Sequence, residues 1–318
     1  MPRDLTFTCI DIGGGTDGTW RDLAQAAWPG WADALVDGAL EPAGQAASLA
    51  MFDEHMPELI GVRDRLAAEI DRPGAAAVLT HTGLRSPFSG CSQAAVDGAL
   101  VRNYDFSADM CDRQITRSDL LRPVIGMGDV PCGMLDGMND AGLAVSLTFG
   151  GRPVHGPGFT VLLVTRYLLE TCSTVDEAWE RVRRLPIATA QNLTFVDRER
   201  SAAVFLGPDR EPLRLDDACV TNHQDLPVSA EQEAESATQL RLATLLAARD
   251  SAGDGEGAVD AAITALLTPP LYQTHDWGTL YTAAYRPRLG RVDYHWPGDR
   301  LTQSFEHFTT GAVTVGRG

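Results

Sequence analysis

No run of apolar residues approaches the ~20 needed to cross a bilayer, so a membrane-spanning helix is excluded from the reading. Positive charge is in short supply. The chain has 26 basic side chains against 43 acidic ones, for a formal net charge of −17. A surface of that sign repels phosphate backbones and anionic lipid, which removes nucleic acid and membrane surfaces from the expected partners. The opening, MPRDLTFTCIDIGGG, has no basic segment followed by a long apolar core, and no secretory leader is expected. Cysteine is sparse and scattered (Cys9, Cys91, Cys111, Cys132, Cys172 and Cys219), with no C-x-x-C pair. That pattern reads as free thiols in a reducing compartment, the cytoplasm, and argues against structural zinc. The seven histidines form neither H-x-x-x-H nor H-E-x-x-H, so neither a metal nor another cofactor is expected. Internal repeats and interdomain linkers are also missing.

What is present suffices for a sizeable core: 318 residues, 44% of them hydrophobic. Residues 1–318 read as a single domain. A strand-like run, Leu5 to Ile12, ends in GGG. Helix-compatible stretches follow at Trp20 to Val36, Pro42 to Phe52 and Met56 to Ile70, and Ala75 to Thr80 reads as a strand. At Cys91 the texture turns to β. CSQAAV and ALVRNYDF flank Asp97-Gly98, a dipeptide that favours a type I′ turn, so Cys91 opens the first strand of a hairpin. GLAVSLTFG (142–150) is another strand. Residues 158–184 are helical in pattern with a break near Thr171 to Thr174. NLTFV, AAVFL, LRL and ACVTN make four short strands. Helices are expected over 230–249 and 257–267, with a loop at SAGDGEGA between them, and TLYTAAYRP and RVDYHWP form a last hairpin. This order suggests an α+β sandwich of packed antiparallel sheets covered by helices.

Two stretches invite a chemical reading. In DIGGGTDGT (11–19), Gly13, Gly15 and Gly18 fit G-x-G-x-x-G between a strand and a helix. No Lys-Ser/Thr follows, and the chain beyond is not a succession of β and α units, so a glycine-rich turn is the preferred reading over a nucleotide site. The second stretch is Gly90-Cys91-Ser92-Gln93 with Val101-Arg102-Asn103-Tyr104-Asp105. Across a hairpin, Arg102 and Asp105 return toward Cys91. A nearby cation favours the thiolate, the reactive form of cysteine. A cysteine at a new N-terminus also carries an α-amine with a pKa of ~8, which suits it as a base near neutral pH. Taken alone, Cys91 reads as a core thiol, Arg102 and Asp105 as a surface ion pair, and Asn222 as a turn residue.

GCSQ…VRNYDF, LDGMNDAGLAVSLTFGG (135–151), VTNHQDLP (220–227) and TLYTAAYRPRLGRVDYHWPG (279–298) resemble, in order, the N-terminal-nucleophile cysteine hydrolases. The closest likeness is to relatives of acyl-coenzyme A:6-aminopenicillanate acyltransferase, and a more distant one runs to penicillin V acylases and bile-salt hydrolases. The resemblance implies a four-layer αββα sandwich. It also implies cleavage between Gly90 and Cys91, leaving an α chain of residues 1–90 and a β chain of 91–318 that stay associated. Cys91 is then the nucleophile, Arg102 and Asp105 flank it, and Asn222 helps form the oxyanion hole. Thr148 stands where bile-salt hydrolases carry a second oxyanion Asn, and it also reads as a plain strand residue. For the family's late Arg after a serine at a helix start, the nearest candidate is Arg241, after Ser236.

The implied activity is hydrolysis of linear amides, with acyl transfer to an amine as the alternative. The partner is a small-molecule amide or acyl donor, with acyl-coenzyme A among the candidates, and a homo-oligomer is left open. An uncleaved ligand-binding protein and a papain-like pairing of cysteine with His223, or with His275 beside Asp276, complete the alternatives.

Overall fold

The computed structural model describes residues 4–33, 38–82, 90–129, 131–253 and 255–316. Strand β1 (Leu5–Asp11) leads through the glycine-rich turn into α1 (Thr19–Asp33). Helices α2 (Pro42–His55) and α3 (Ile60–Ile70) and the single turn α4 (Ala75–Val78) follow. Six strands come next: β2 (Gly90–Val96), β3 (Ala99–Asp105), β4 (Gln114–Asp119), β5 (Pro123–Asp129), β6 (Gly133–Asn139) and β7 (Ala144–Phe149). Helices α5 (Val161–Thr171) and α6 (Val175–Val182) precede β8 (Gln191–Val196), β9 (Ser201–Leu206), β10 (Leu213–Leu215) and β11 (Cys219–Val220). Helices α7 (Ala230–Ser236), α8 (Thr238–Ser251) and α9 (Glu256–Leu266) then lead to β12 (Thr279–Arg286), β13 (Arg291–Trp296), β14 (Asp299–Ser304) and β15 (Gly311–Val315).

Among the described residues these strands form two sheets, in the orders β10-β9-β8-β7-β6-β5-β4-β1-β15 and β11-β2-β3-β12-β13-β14. The sheets lie face to face, with β2 and β3 of the second meeting β7 and β8 of the first. Helix α5 covers the outer face of the first sheet over β5, β6 and β7, and α8 and α9 cover the outer face of the second over β2, β3 and β12. Helix, sheet, sheet and helix are therefore stacked as the expected αββα sandwich. Strand alternation divides the apolar residues between layers. Ala94 and Val101 point to α8 and α9, where they meet Leu245, Val259 and Leu266. Among the described residues no helix is long and apolar enough to cross a membrane.

Local chemistry explains the main boundaries. Asp97 and Gly98 both take positive φ, 45° and 73°, as a type I′ turn requires, and β2 pairs with β3 from Gly90↔Asp105 to Val96↔Ala99. The break between α5 and α6 is an N-cap: Thr174 accepts from the Glu177 N–H, and the Glu177 carboxylate accepts from the N–H of Ser173, one residue before the cap.

Three expectations are corrected. Ala75 to Thr80 is not a strand; three consecutive alanines, the best helix formers, make the turn α4 after Gly74. The helix expected over 230–249 is two helices, because Ala237 adopts φ 46° and turns the chain between α7 and α8. Strands β4, β5, β6, β14 and β15 are additional to those expected; in β4, β5, β6 and β14, Gly, Pro or charged residues interrupt the apolar pattern. The helix begun at Trp20 is described only to Asp33, and residues 34–37 lie outside the described residues.

The N-terminal segment is built into the first sheet. β1 pairs in parallel with β4 on one side and antiparallel with β15 on the other. Its Phe7 is fully buried, with ring centroids 5.0 Å from Trp296 and 6.2 Å from Tyr281 of the second sheet. Phe7→Ala is expected to lower stability by about 3–5 kcal/mol through lost burial and a residual cavity. The midpoint of urea unfolding measures this, and a loss below about 1 kcal/mol would show that the site collapses around the smaller side chain.

Candidate active site

The β2–β3 hairpin sets out two faces. Directly opposed residues of an antiparallel pair point the same way, and neighbours along a strand point oppositely. Cys91 is opposed by Tyr104 and Gln93 by Arg102, and these four side chains face the first sheet. Gly90 is opposed by Asp105 and Ser92 by Asn103, and these face the covering helices. Arg102 and Asp105 therefore approach Cys91 from opposite sides of its strand.

On the inner side, the Arg102 guanidinium is fully buried. Its Nη2 donates to Cys91 Sγ at 3.1 Å. Its Nη1 donates to the Leu135 carbonyl at 3.0 Å and to Asp136 Oδ2 at 2.7 Å on β6. The rings of Tyr104 and Tyr281 lie 5.0 and 5.8 Å from its Cζ. Burial works against its charge, but Tyr281, Asp136 and Cys91 outweigh that and hold its pKa above the ordinary value. Arg102 is a permanent cation set against the cysteine sulfur.

On the outer side the backbone of Cys91 is gripped. Its N–H donates to Asn222 Oδ1 at 2.9 Å, and its carbonyl accepts from Arg241 Nη1 at 2.8 Å. Arg241 also donates to Ser92 Oγ at 3.0 Å and, through Nη2, to Asn222 Oδ1 at 2.5 Å. The Asn222 Nδ2 group donates to Thr148 Oγ1 at 2.7 Å and to the Phe149 carbonyl at 3.2 Å. Two donors on Oδ1 and two acceptors at Nδ2 settle the orientation of the amide. Asp105 accepts from the Thr279 hydroxyl at 2.7 Å and faces Arg241 at 3.5 Å. Gly90 sits against it, such that a Cβ there would lie 3.3 Å from Asp105 Cβ.

All six residues singled out in the sequence are buried and fall in one connected cluster. Cys91, Arg102, Asp105, Asn222 and Arg241 meet directly or through a shared partner, and Thr148 joins through Asn222. The surface ion pair considered for Arg102 with Asp105 does not exist. Each has a different buried partner, Asp136 and Arg241. Arg241 reaches the site because Ala237 resets the chain after Ser236, putting Arg241 in the first turn of α8, where its Nε donates to the Ser236 carbonyl. The histidines of the papain-like alternative bond to other groups: His223 meets the Thr221 and Thr238 hydroxyls, and His275 meets Gln273 Oε1 and bears electrostatically on Asp105. Among the described residues no three His, Cys, Asp or Glu side chains gather as a metal site. The glycine-rich stretch forms a turn in which the Gly13 N–H donates to Asp11 Oδ1 and the Gly15 N–H to the Ile12 carbonyl.

Sequence reasoning does not mark Asp136 or Thr279, and it reads Tyr281 and Tyr285 as sheet-packing aromatics with one or two candidates for an acyl pocket rather than as partners of a buried acid. The available signal was Asp136, a lone acid in the apolar run MLDGM, because a carboxylate buried there needs a partner.

The family model of acyl-coenzyme A:6-aminopenicillanic acid acyl-transferase matches residues 92–301, and the chain belongs to that family. No curated protein matches the chain. Solved structures that match the chain include a mutant of conjugated bile acid hydrolase from Clostridium perfringens, at 13% identity, with 71% of this chain and 96% of that one covered and a TM-score of 0.47. Penicillin V acylase from Agrobacterium tumefaciens is 15% identical, covering 71% of this chain and 90% of that one, with a TM-score of 0.47. The Caenorhabditis elegans ortholog of N-acylethanolamine-hydrolyzing acid amidase is 13% identical, covering 71% and 99%, with a TM-score of 0.47.

Burial pushes the Asp105 carboxyl up, and Arg241, the Thr279 hydroxyl and Arg102 offset this only in part. The folded chain therefore holds a proton at Asp105 over a pH window in which the unfolded chain has lost it. Stability from this group is complete below the ordinary carboxylate value and is lost as pH rises through the raised one. Asp105→Asn removes the titration. The wild type should lose stability relative to Asp105→Asn as pH rises above about 4, the ordinary carboxylate value, read as the difference in urea midpoints. A difference that is flat or grows with pH would contradict the raised value.

Proposed function

We propose that the chain is a self-cleaving N-terminal-nucleophile enzyme that hydrolyses a linear carbon–nitrogen amide through a thioester on Cys91. The observation that carries this reading is the double hold on one residue. Cys91 Sγ lies 3.1 Å from a buried arginine, while the nitrogen of the same residue is held by Asn222 Oδ1. Nucleophile and prospective base are thus fixed in one place before either is needed.

Processing comes first. Cys91 Sγ attacks the Gly90 carbonyl carbon, the Gly90–Cys91 C–N bond breaks, and the Cys91 nitrogen takes up a proton. Water then hydrolyses the resulting thioester, which frees the Gly90 carboxylate and a Cys91 that carries both thiol and α-amine. In turnover, the α-amine accepts the thiol proton as sulfur attacks the substrate carbonyl, and passes it to the leaving nitrogen. Arg102 favours the thiolate. Asn222 Nδ2 exchanges its longer bond, to the Phe149 carbonyl, for the oxyanion; such donors are typically worth ~10²–10³ in rate. Arg241, faced by Asp105, holds the Cys91 carbonyl. Water releases the acid and restores the thiol.

The α chain, residues 1–90, stays with the β chain after cleavage, because β1 keeps its pairing to β4 and β15. A thiol nucleophile is kept reduced in the cytoplasm, where we place the protein. The family's name favours a second reading, in which an amine takes the acyl group in place of water, with acyl-coenzyme A among the donors. Adding an amine acceptor during turnover separates the two: free acid supports hydrolysis, and a new amide supports transfer.

Intact-mass spectrometry with N-terminal sequencing tests the proposal. The wild type should yield chains of residues 1–90 and 91–318, the second beginning Cys-Ser-Gln, and the two should co-elute on gel filtration. Cys91→Ala should stay whole and turn over no amide. A wild type that remains one chain supports the uncleaved, ligand-binding alternative, and activity in Cys91→Ala would sink the nucleophile.

A further inference from the structure

Behind Arg102, on the side away from the cysteine, lies a polar cluster that the proposed chemistry does not use. Asp136 is fully buried in the middle of β6. Its Oδ2 accepts from Arg102 Nη1 at 2.7 Å and from the Tyr281 hydroxyl at 2.5 Å, and its Oδ1 accepts from the Tyr285 hydroxyl. Tyr285 is joined in turn to the Tyr294 hydroxyl at 3.0 Å. Burial and the neighbouring Asp136 charge push the Tyr281 and Tyr285 pKa values well up, so both phenols stay protonated and act as donors. Arg102 thus lies between two acceptors on different sheets, a carboxylate on the first and the Cys91 sulfur on the second.

We infer that Asp136 is a positioning residue: clamped by Tyr281 and Tyr285, it aims the Arg102 guanidinium at Cys91 Sγ and tempers the positive charge that the sulfur meets. The inference rests on the proposed role of Cys91. An unopposed guanidinium at 3.1 Å would make the thiolate easy to form and poor as a nucleophile, since intrinsic thiolate nucleophilicity falls with thiol pKa. It would also leave the α-amine little to do as a base. With Asp136 in place, the Arg102–Asp136 pair is neutral as a unit and acts on sulfur as an oriented dipole. Other charged or titratable groups around this point, among the described residues, include Tyr104 on β3, whose ring lies over Arg102, Cys111 and Asp129, which bear electrostatically on Tyr104, and Arg241 and Asp105, which approach Cys91 from its backbone side. Arg102 Nε has no hydrogen-bond partner among the described residues, so the aim of the fork depends on its two terminal nitrogens.

The test compares the wild type with Asp136→Asn, which is nearly isosteric and removes one negative charge. The rate of iodoacetamide modification at Cys91 is followed against pH, with the Cys91 peptide quantified by mass spectrometry. Because the Arg102–Asp136 contact is present in the uncut chain, the comparison can be made on whichever form accumulates. The Cys91 thiol should titrate about one unit or more lower in Asp136→Asn, and its limiting alkylation rate should fall. Tyr285→Phe provides the control of opposite sign. It removes a donor from the carboxylate, leaves more negative charge facing Arg102, and should raise the Cys91 titration. Should Asp136→Asn fail to fold, this second variant decides alone. A Cys91 titration that does not move in these directions overturns the inference, since a merely structural Asp136 would lower yield or activity without shifting it. Cleavage at Gly90–Cys91, read in the same samples, separates the two ideas. Normal cleavage with an unmoved titration rejects only the role of Asp136, whereas an uncut wild type counts against the nucleophile.

Discussion

Two arginines are buried where the sheets and helices of this sandwich converge on one cysteine, and much of the local architecture follows from what each needs. A guanidinium taken out of water is tolerated only when its donors are filled and an anion stands by. Arg102 meets that need across the gap between the sheets, from β3 to Asp136 on β6. Arg241 meets it across the gap between helix and sheet, from α8 to Asp105 on β3 and to the Cys91 and Ser92 groups on β2. Each arginine ties two layers together. Cys91 lies where the two ties meet, its sulfur on one and its backbone on the other. Removing Asp136 would leave the buried Arg102 cation without its counter-ion, which is more costly than never having had the pair.

The composition bears on how the site works. All 26 basic residues of the chain are arginine; there is no lysine. Arginine keeps its charge at any accessible pH and presents a planar fork of donors, whereas lysine sheds its proton readily when buried. Charges around the cysteine are therefore regulated by the acids and phenols. Asp105 is pushed up by burial, and Tyr281 and Tyr285 are held neutral. The site contains two fixed cations and a set of partners whose protonation and aim decide how much of that charge reaches the sulfur.

How much of this was legible in the sequence follows from range. The hairpin was readable because Asp97-Gly98 determines a turn locally, and a turn determines which residues face one another. That hairpin brings Arg102 and Asp105 back toward Cys91, and the family resemblance implies the same placement. Their true partners were not readable, since Asp136 is brought in from a strand in the other sheet and Arg241 from a helix whose start depends on Ala237 at φ 46°. An alanine in the left-handed region leaves no trace in composition, and packing supplies what propensity opposes. β6 escaped for a related reason. In GMLDGMN, glycines and an acid dilute the β pattern, yet these residues make the strand useful. Gly126 on β5 and Gly137 on β6 let backbones and the Leu169 side chain approach closely, and the acid reaches the arginine. Function and close packing interrupt the hydrophobic pattern from which strands are recognised.

The N-terminal segment carries the same logic to the scale of the whole chain. A removable propeptide would be expected to pack against a finished domain. Here β1 is an inner strand of the first sheet, and Phe7 reaches across to rings of the second. Folding of the sandwich thus requires residues on both sides of Gly90 before any cut can be made. The groups that would make the cut, Cys91 on β2 with Arg102 and Asp105 on β3, are set by sheets that already include β1. In a chain arranged in this way, the proposed cleavage would be coupled to completion of the fold: a partly folded chain lacks the Arg102–Asp136 and Arg241–Asp105 ties, and without them the cysteine is an ordinary thiol.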